Sequence, residues 1–229
     1  MYQNNAVCYH LVNAIKSVQQ RSAMQKNKTS RPNRLRIIGG TFRSRKLTFP
    51  TLPGLRPTGD RIRETLFNWL APHVPGSRCL DLFAGSGALG IEALSRGASQ
   101  VVFIDSSSLA CDSIRHNLNL LDPELLSSGK AHVICHDGLS WLLASERNAY
   151  GPFNMVFLDP PFSADLGAVC ADTLEQSGTL APDCLIYLEQ TLRRNTMNEQ
   201  SSSPITPASW LLVKNKQAGN VSYQLFSRK

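Results

Sequence analysis

Between Arg78 and Leu188 the chain repeats one local pattern: a short apolar, strand-prone run, a turn, then an amphipathic stretch. The runs are Arg78–Phe83, Gln100–Ile104, Ala131–Cys135, Asn154–Leu158 and Cys184–Leu188. Between them the spacing predicts helices over Gly87–Ser95, Ser106–Leu121 and Asp165–Gln176, with a shorter one around Leu139–Leu143. In the second of these, Leu109, Ile114, Leu118 and Leu121 are expected to face inward. Strands that are apolar on both faces and alternate with helices call for a parallel sheet covered on both sides. Residues 191–208 are polar and rich in serine and proline, and read as a loop. Trp210–Lys214 and Ser222–Phe226, separated by Gln217-Ala218-Gly219-Asn220, predict a closing antiparallel hairpin.

Charge divides the chain unevenly. The net charge is +7, yet the first acid is Asp60, preceded by eleven Lys or Arg residues. The remainder is net acidic, so the basic character belongs to the N-terminal quarter and points to a polyanion such as nucleic acid. Residues 1–33 are polar and are expected to form a disordered basic extension. Residues 34–57 are expected to form a basic β-hairpin and linker. There Leu35–Ile38 and Thr41–Leu47 would pair across Gly39-Gly40, and prolines 50, 53 and 57 would extend the chain. Arg36, Arg43, Arg45 and Lys46 would meet phosphates. Residues 58–229 would form the main domain. It would begin with a helix over Arg61–Leu70, capped by Thr58 or Asp60, with Ile62, Leu66, Phe67 and Leu70 on one face and Arg61, Arg63 and Glu64 turned elsewhere.

Six cysteines, none in a Cys-x-x-Cys pair, read as small buried residues rather than a disulfide framework or a zinc site, and no metal is expected. No apolar run reaches the ~18–20 residues of a membrane span. The expectation is a soluble, cytoplasmic, monomeric protein without a membrane partner.

Two loops carry the chemistry. Gly85-Ser86-Gly87-Ala88-Leu89-Gly90 follows the first strand and opens a helix, an arrangement that lets a ligand approach backbone N–H groups. Asp81 precedes it by four residues, where a carboxylate opposes a pyrophosphate but suits a cationic sulfonium ligand carrying an ammonium group. Asp105 ends the second strand, placed for ribose hydroxyls, and Asp137 follows the third, placed for an adenine amino group. Ligands of open α/β sheets bind at these strand ends. The second loop, Asp159-Pro160-Pro161-Phe162, ends the fourth strand. The Asp159 carboxylate and the Pro160 carbonyl can each accept an N–H bond from one amino group, turning its lone pair toward an electrophilic methyl, while the prolines stiffen the loop. Phe162 can stack on a base, and a base held in a helix would have to be flipped out.

In this order the two loops resemble class I S-adenosylmethionine-dependent methyltransferases acting on nucleic-acid amino groups. More narrowly, Arg36–Gly40, Gly54–Thr58, Arg61–Leu70 and Asp81–Gly90 look like the bacterial small-subunit (16S) rRNA guanine-N2 methyltransferase D family, over residues 34–229. That resemblance implies a Rossmann-like seven-stranded, mostly parallel sheet with the C-terminal hairpin placing one antiparallel strand. It implies S-adenosyl-L-methionine as cofactor and 16S rRNA within the 30S subunit as partner. By motif, it places Asp159, Pro160 and Phe162 at the reacting guanine. Asp81, Phe83, Gly85, Gly87, Asp105 and Asp137 would hold the cofactor, Thr58 and Arg61 its methionine end, and Arg56 would join the RNA-binding residues. The N-terminal extension and His136-Asp137 depart from the pattern. Three rivals are an adenine-N6 methyltransferase, which more often carries Asn before Pro-Pro, an NAD-dependent oxidoreductase, against which Asp81 and the Pro-Pro loop argue, and a non-catalytic RNA-binding assembly factor.

Overall fold

The computed structural model describes residues 33–52, 58–161, 164–191 and 206–229. The expectations for the N-terminal extension, Arg56 and Phe162 lie outside the described residues. The chain opens with a two-stranded antiparallel pair, β1 (Asn33–Arg36) and β2 (Lys46–Phe49). Then come α1 (Asp60–Leu70), β3 (Arg78–Asp81), α2 (Ala88–Ser95), β4 (Gln100–Asp105), α3 (Ser108–Leu121), a one-turn α4 (Glu124–Ser127) and β5 (Ala131–Cys135). The second half holds α5 (Gly138–Leu143), a 3-10 turn at Ser145–Ala149, β6 (Phe153–Leu158), α6 (Ala164–Gln176), β7 (Leu180–Thr191), β8 (Trp210–Ala218) and β9 (Val221–Arg228). The large sheet runs β5-β4-β3-β6-β7-β9-β8. All neighbours through β7 are parallel, and β9 lies antiparallel between β7 and β8.

Strand alternation divides the core in two. Cys79, Val101, Phe103, Met155, Phe157 and Tyr187 face a layer built from α1, α2, α3 and the small hairpin. Leu80, Val102, Ile104, Val156, Leu158 and Ile186 face α5 and α6. Val101 through Ile104 are wholly buried, as a central parallel strand requires. The order of the strands reverses direction between β3 and β6, so the carboxyl ends of β4, β3, β6 and β7 rim one crevice.

The N-terminal segment departs from expectation in a way its hydrogen bonds explain. The pair is a hairpin, but Thr41–Ser44 is a turn rather than the start of a returning strand. Its first two N–H groups are taken by α2 instead of a partner strand: Thr41 N donates to Ser95 O at 2.7 Å and Phe42 N to Ser95 Oγ at 2.9 Å, while Arg43 N closes the turn on Gly40 O at 3.2 Å. Ile38 N and Gly39 N each donate to the Glu92 carboxylate at 2.8 Å. The approach is so close that a Cβ on Gly40 would lie 1.8 Å from Ser95 O. Two further corrections concern helix faces. Arg63, expected to turn away from the core, is fully buried, and Leu109, expected inward, is exposed. Neither Thr58 nor Asp60 caps α1; the cap position is Gly59, without a side-chain bond.

Candidate active site

The glycine loop is built by contacts at both ends. Gly87, in the left-handed region at φ 74°, occupies the N-cap of α2. Gly90 lets that helix press on the sheet: a Cβ there would meet the Phe103 ring at 2.2 Å. Two of the acids proposed from sequence lock the loop. Asp81, nearly fully buried, accepts from Gly90 N at 3.0 Å. Asp105 accepts from Gly85 N at 2.7 Å and from Ser107 N at 2.8 Å. Asp137 caps α5, accepting from Ser140 N at 2.9 Å. Phe83 is half-buried, and its ring lies alongside Gly138, next to Asp137.

The Asp-Pro-Pro loop continues β6, whose register sets Asp81 of β3 opposite Phe157. Asp159 is half-buried and its Oδ2 is 3.4 Å from Thr58 Oγ1, which brings the segment before α1 over the end of β6. Arg61 is exposed on the first turn of α1. The two loops therefore meet, and electrostatics records it. Burial pushes the Asp81 carboxyl up to about 7; the Gly90 N–H opposes the rise and the Asp105 charge adds to it. Asp105 is also raised by burial, against the Ser107 and Gly85 N–H groups. Burial drives Asp159 well above the usual carboxylate range, the charges of Glu189 and then Asp81 push it further, and the Thr58 hydroxyl counters them. Among the described residues no Lys or Arg forms an ion pair with Asp81, Asp105 or Asp159. Acids withdrawn from water without a counter-cation suit a positively charged ligand.

Two groups were missed from sequence. Glu189 follows Leu188 on β7, whose register pairs Leu188 with Leu158, so it lies beside Asp159. Tyr187 Oη donates to its Oε2 at 2.7 Å. The same rule that singled out Asp81, Asp105 and Asp159, an acid at the carboxyl end of a core strand, applies to Glu189. The second is the Arg63–Glu92 pair. Arg63 donates to Arg36 O at 2.9 Å, Thr58 O at 3.2 Å and Asp60 Oδ1 at 2.7 Å, and its Nη1 lies 3.6 Å from Glu92 Oε2. Glu92 also receives Arg96 Nε at 2.8 Å. This buried network ties the basic hairpin, the Thr58 segment and the helix of the glycine loop into one unit. Its signal in the sequence was a Glu on an otherwise apolar helix.

Of the basic residues proposed for RNA, Arg36, Arg43, Arg45 and Lys46 are all exposed on the small hairpin. Arg45 also donates to Leu120 O at 2.8 Å, at the carboxyl end of α3. Among the described residues no group of histidines, cysteines and acids is arranged to hold a metal. Nor is any helix among them long and apolar enough to cross a membrane.

A β5-β4-β3-β6-β7-β9-β8 sheet, with a glycine loop after its first strand in sequence and Asp-Pro-Pro after its fourth, defines a class I methyltransferase fold. The chain belongs to the family described as Conserved hypothetical protein 95, which it matches over residues 35–227, and whose curated relatives include ribosomal RNA small subunit methyltransferase D. It is 42% identical over 206 residues to that protein of Escherichia coli K12, covering 90% of this chain and 96% of the relative. It is 43% identical over 192 residues to that of Haemophilus influenzae, covering 84% and 93%. A solved Escherichia coli chain, yhhF, provisionally described as a methyltransferase, superposes with a TM-score of 0.71 at 42% identity, covering 86% of this chain and 99% of that one. The Thermus thermophilus 16S rRNA N2 G1207 methyltransferase, solved with AdoMet and guanosine, shares the fold at 20% identity with a TM-score of 0.56, covering 87% and 50%.

Proposed function

We propose that this chain transfers a methyl group from S-adenosylmethionine to the exocyclic N2 of a guanine in small-subunit rRNA, acting on the 30S particle. Methyl transfer to small-subunit rRNA is the activity named for its relatives across nearly their whole length. The observation that carries the finer reading is the meeting of the Asp159-Pro160 loop with the Asp81 end of the glycine loop. The residues fit the cofactor: Asp81 is a buried carboxylate lacking a cationic partner among the described residues, and it would take the ammonium end. Asp105 would take the ribose hydroxyls and Asp137 the adenine amino group. Gly85 and Gly87 let the ligand reach the loop, Phe83 flanks it, and Thr58 and Arg61 lie at the methionine end.

When bound, the cofactor supplies an electrophilic methyl on a cationic sulfonium. The chain's own residues supply position and charge. Asp159 and the Pro160 carbonyl accept the two N–H bonds of the amino group, which aims the nitrogen lone pair at the methyl. As the nitrogen is alkylated its proton becomes acidic, and Asp159, whose proton affinity is raised, is placed to hold it. Phe162 would stack on the base. The exposed Arg36, Arg43, Arg45 and Lys46, together with Arg56, would hold the phosphate backbone beside the pocket. This calls for no metal.

The test is methyl transfer from labelled cofactor to unmethylated 30S subunits and to naked 16S rRNA, with the product mapped by mass and by nucleoside analysis. The expected result is one N2-methylguanosine, formed on the particle in preference to the naked RNA. Label on an adenine, or on a ring atom, would overturn the reading.

A further inference from the structure

Resting on the guanine-N2 reading, we propose that Glu189 reads the N1–H of the target guanine beside Asp159 and so rejects adenine. Three observations place it there. β6 and β7 are parallel with Leu158 opposite Leu188 as the last pair, and strands so paired lie ~4.8 Å apart, so Asp159, the first residue after β6, leaves the sheet beside Glu189 of β7. Alternation from the buried pair Phe157 and Tyr187 puts both acids on the face covered by α1 and α2. The charge of Glu189 is the largest one acting on Asp159.

Glu189 is also held rigidly. Tyr187, fully buried, donates to Oε2 at 2.7 Å, which restrains the carboxylate and leaves Oε1 outside that bond. On its other side Tyr223 of β9 is the register partner, itself stacked on Trp69 with ring centroids 5.6 Å apart. Among the described residues no basic side chain forms an ion pair with Glu189. Two adjacent carboxylates without a cation are costly in isolation and are compensated by a ligand bringing adjacent donors.

Guanine presents such a pair: N1–H and the N2 amino group point the same way along one edge. Asp159 takes the amino group and Glu189 the ring N–H. Adenine presents a lone pair at N1, which a carboxylate repels. An acceptor left facing an acceptor, with water excluded by the bound base, is what gives polar sites their large discrimination.

The experiment uses 30S subunits reconstituted with 16S rRNA carrying either guanosine or 2-aminopurine riboside at the mapped target. The analogue keeps the amino group and loses the N1–H. Wild type is expected to lose ~10²-fold or more in kcat/KM on the analogue, as polar sites do when a hydrogen bond is deleted. Glu189→Gln, whose amide can donate to the analogue's N1, should narrow the guanosine-to-analogue ratio by about tenfold, roughly one hydrogen bond. Tyr187→Phe, which frees the carboxylate, should narrow it less. An unchanged ratio in both variants, with N2-methylguanosine still formed on the natural substrate, would overturn the role of Glu189 alone. No N2-methylguanosine from wild type would overturn the guanine reading and this inference with it.

Discussion

Around Glu92 the chain supplies two backbone N–H donors and two guanidinium groups; around Asp159 the described residues supply one long hydroxyl contact and two further acids. Glu92 is wholly buried and Asp159 partly so, and withdrawing a charge from water is expensive in either place. At Glu92 the expense is met within the protein, and the return is architecture: loop 37–42, the Thr58 segment and α2 are fixed to one another. At Asp159 the donors are withheld. An acid saturated with partners holds elements together, whereas the one short of them is where we propose that a ligand binds.

Substitution should separate the two. Asp159→Ala is expected to lower methyl transfer by ~10³-fold, the scale seen when a transition-state hydrogen-bonding group is removed. The melting temperature and cofactor binding should stay near wild type, read by thermal denaturation and calorimetry. Full activity would remove Asp159 from the chemistry. Glu92→Ala should show the reverse emphasis. Leaving Arg63 and Arg96 without their carboxylate should cost about 3 kcal/mol of stability, the low end for breaking a buried ion pair. Urea denaturation would show it as a shifted midpoint. A midpoint within error of wild type would mean that the loop is held by its backbone contacts alone.

Acidity sharpens the same contrast. Asp81 rises in the fold from an ordinary carboxylate value to about 7. Its protonated form is therefore favoured by folding. In the ligand-free protein that contribution is complete below the ordinary carboxylate range and is lost as pH climbs to about 7. A cationic cofactor binds the ionised form. Its affinity should thus fall by about tenfold for each pH unit below about 7 and level off above it. Asp81→Asn should bind more weakly and without that slope. Titration calorimetry between about pH 5.5 and 7.5 checks both; a slope that persists in the variant would assign it to another group.

The strand-and-helix frame was legible because its signals are local. Apolar runs and the Gly87 turn act over a few residues, and each expected element landed within a residue or two except β2, which starts five residues late at Lys46, and β7 and β8, which run longer; the one-turn α4 was not expected. What escaped was set by distant partners. Arg63 reads as a solvent-facing charge on an amphipathic helix, and its burial is explained by distant partners, Arg36 O twenty-seven positions before it and Glu92 twenty-nine positions on. Thr41–Ser44 reads as strand, but the carboxyl end of α2 takes the Thr41 and Phe42 N–H groups and Gly40 O takes that of Arg43, which makes the segment a turn. Leu109 has the spacing of an inward residue but sits in the first turn of α3, at the sheet's rim, where it stays exposed. At the site, the motif acids were readable from their positions at strand ends. Their crowding was not, because it depends on which strands become neighbours.

The smallest effect concerns the hairpin that Glu92 anchors. Arg36, Arg43 and Lys46 are exposed and belong to a segment with no acid before Asp60. Arg45 differs, since its guanidinium also closes the carboxyl end of α3 through Leu120 O. Neutralising Arg36, Arg43 and Lys46 to Gln should leave turnover at saturating subunit nearly unchanged and weaken binding instead. If each meets one phosphate, the slope of log affinity against log salt should flatten by about 2–3. Changing Arg45 as well should flatten it by at most one more, and should cost some stability through α3. An unaltered slope in the triple variant would place the RNA on another face, and the Glu92 network would then serve the pocket alone.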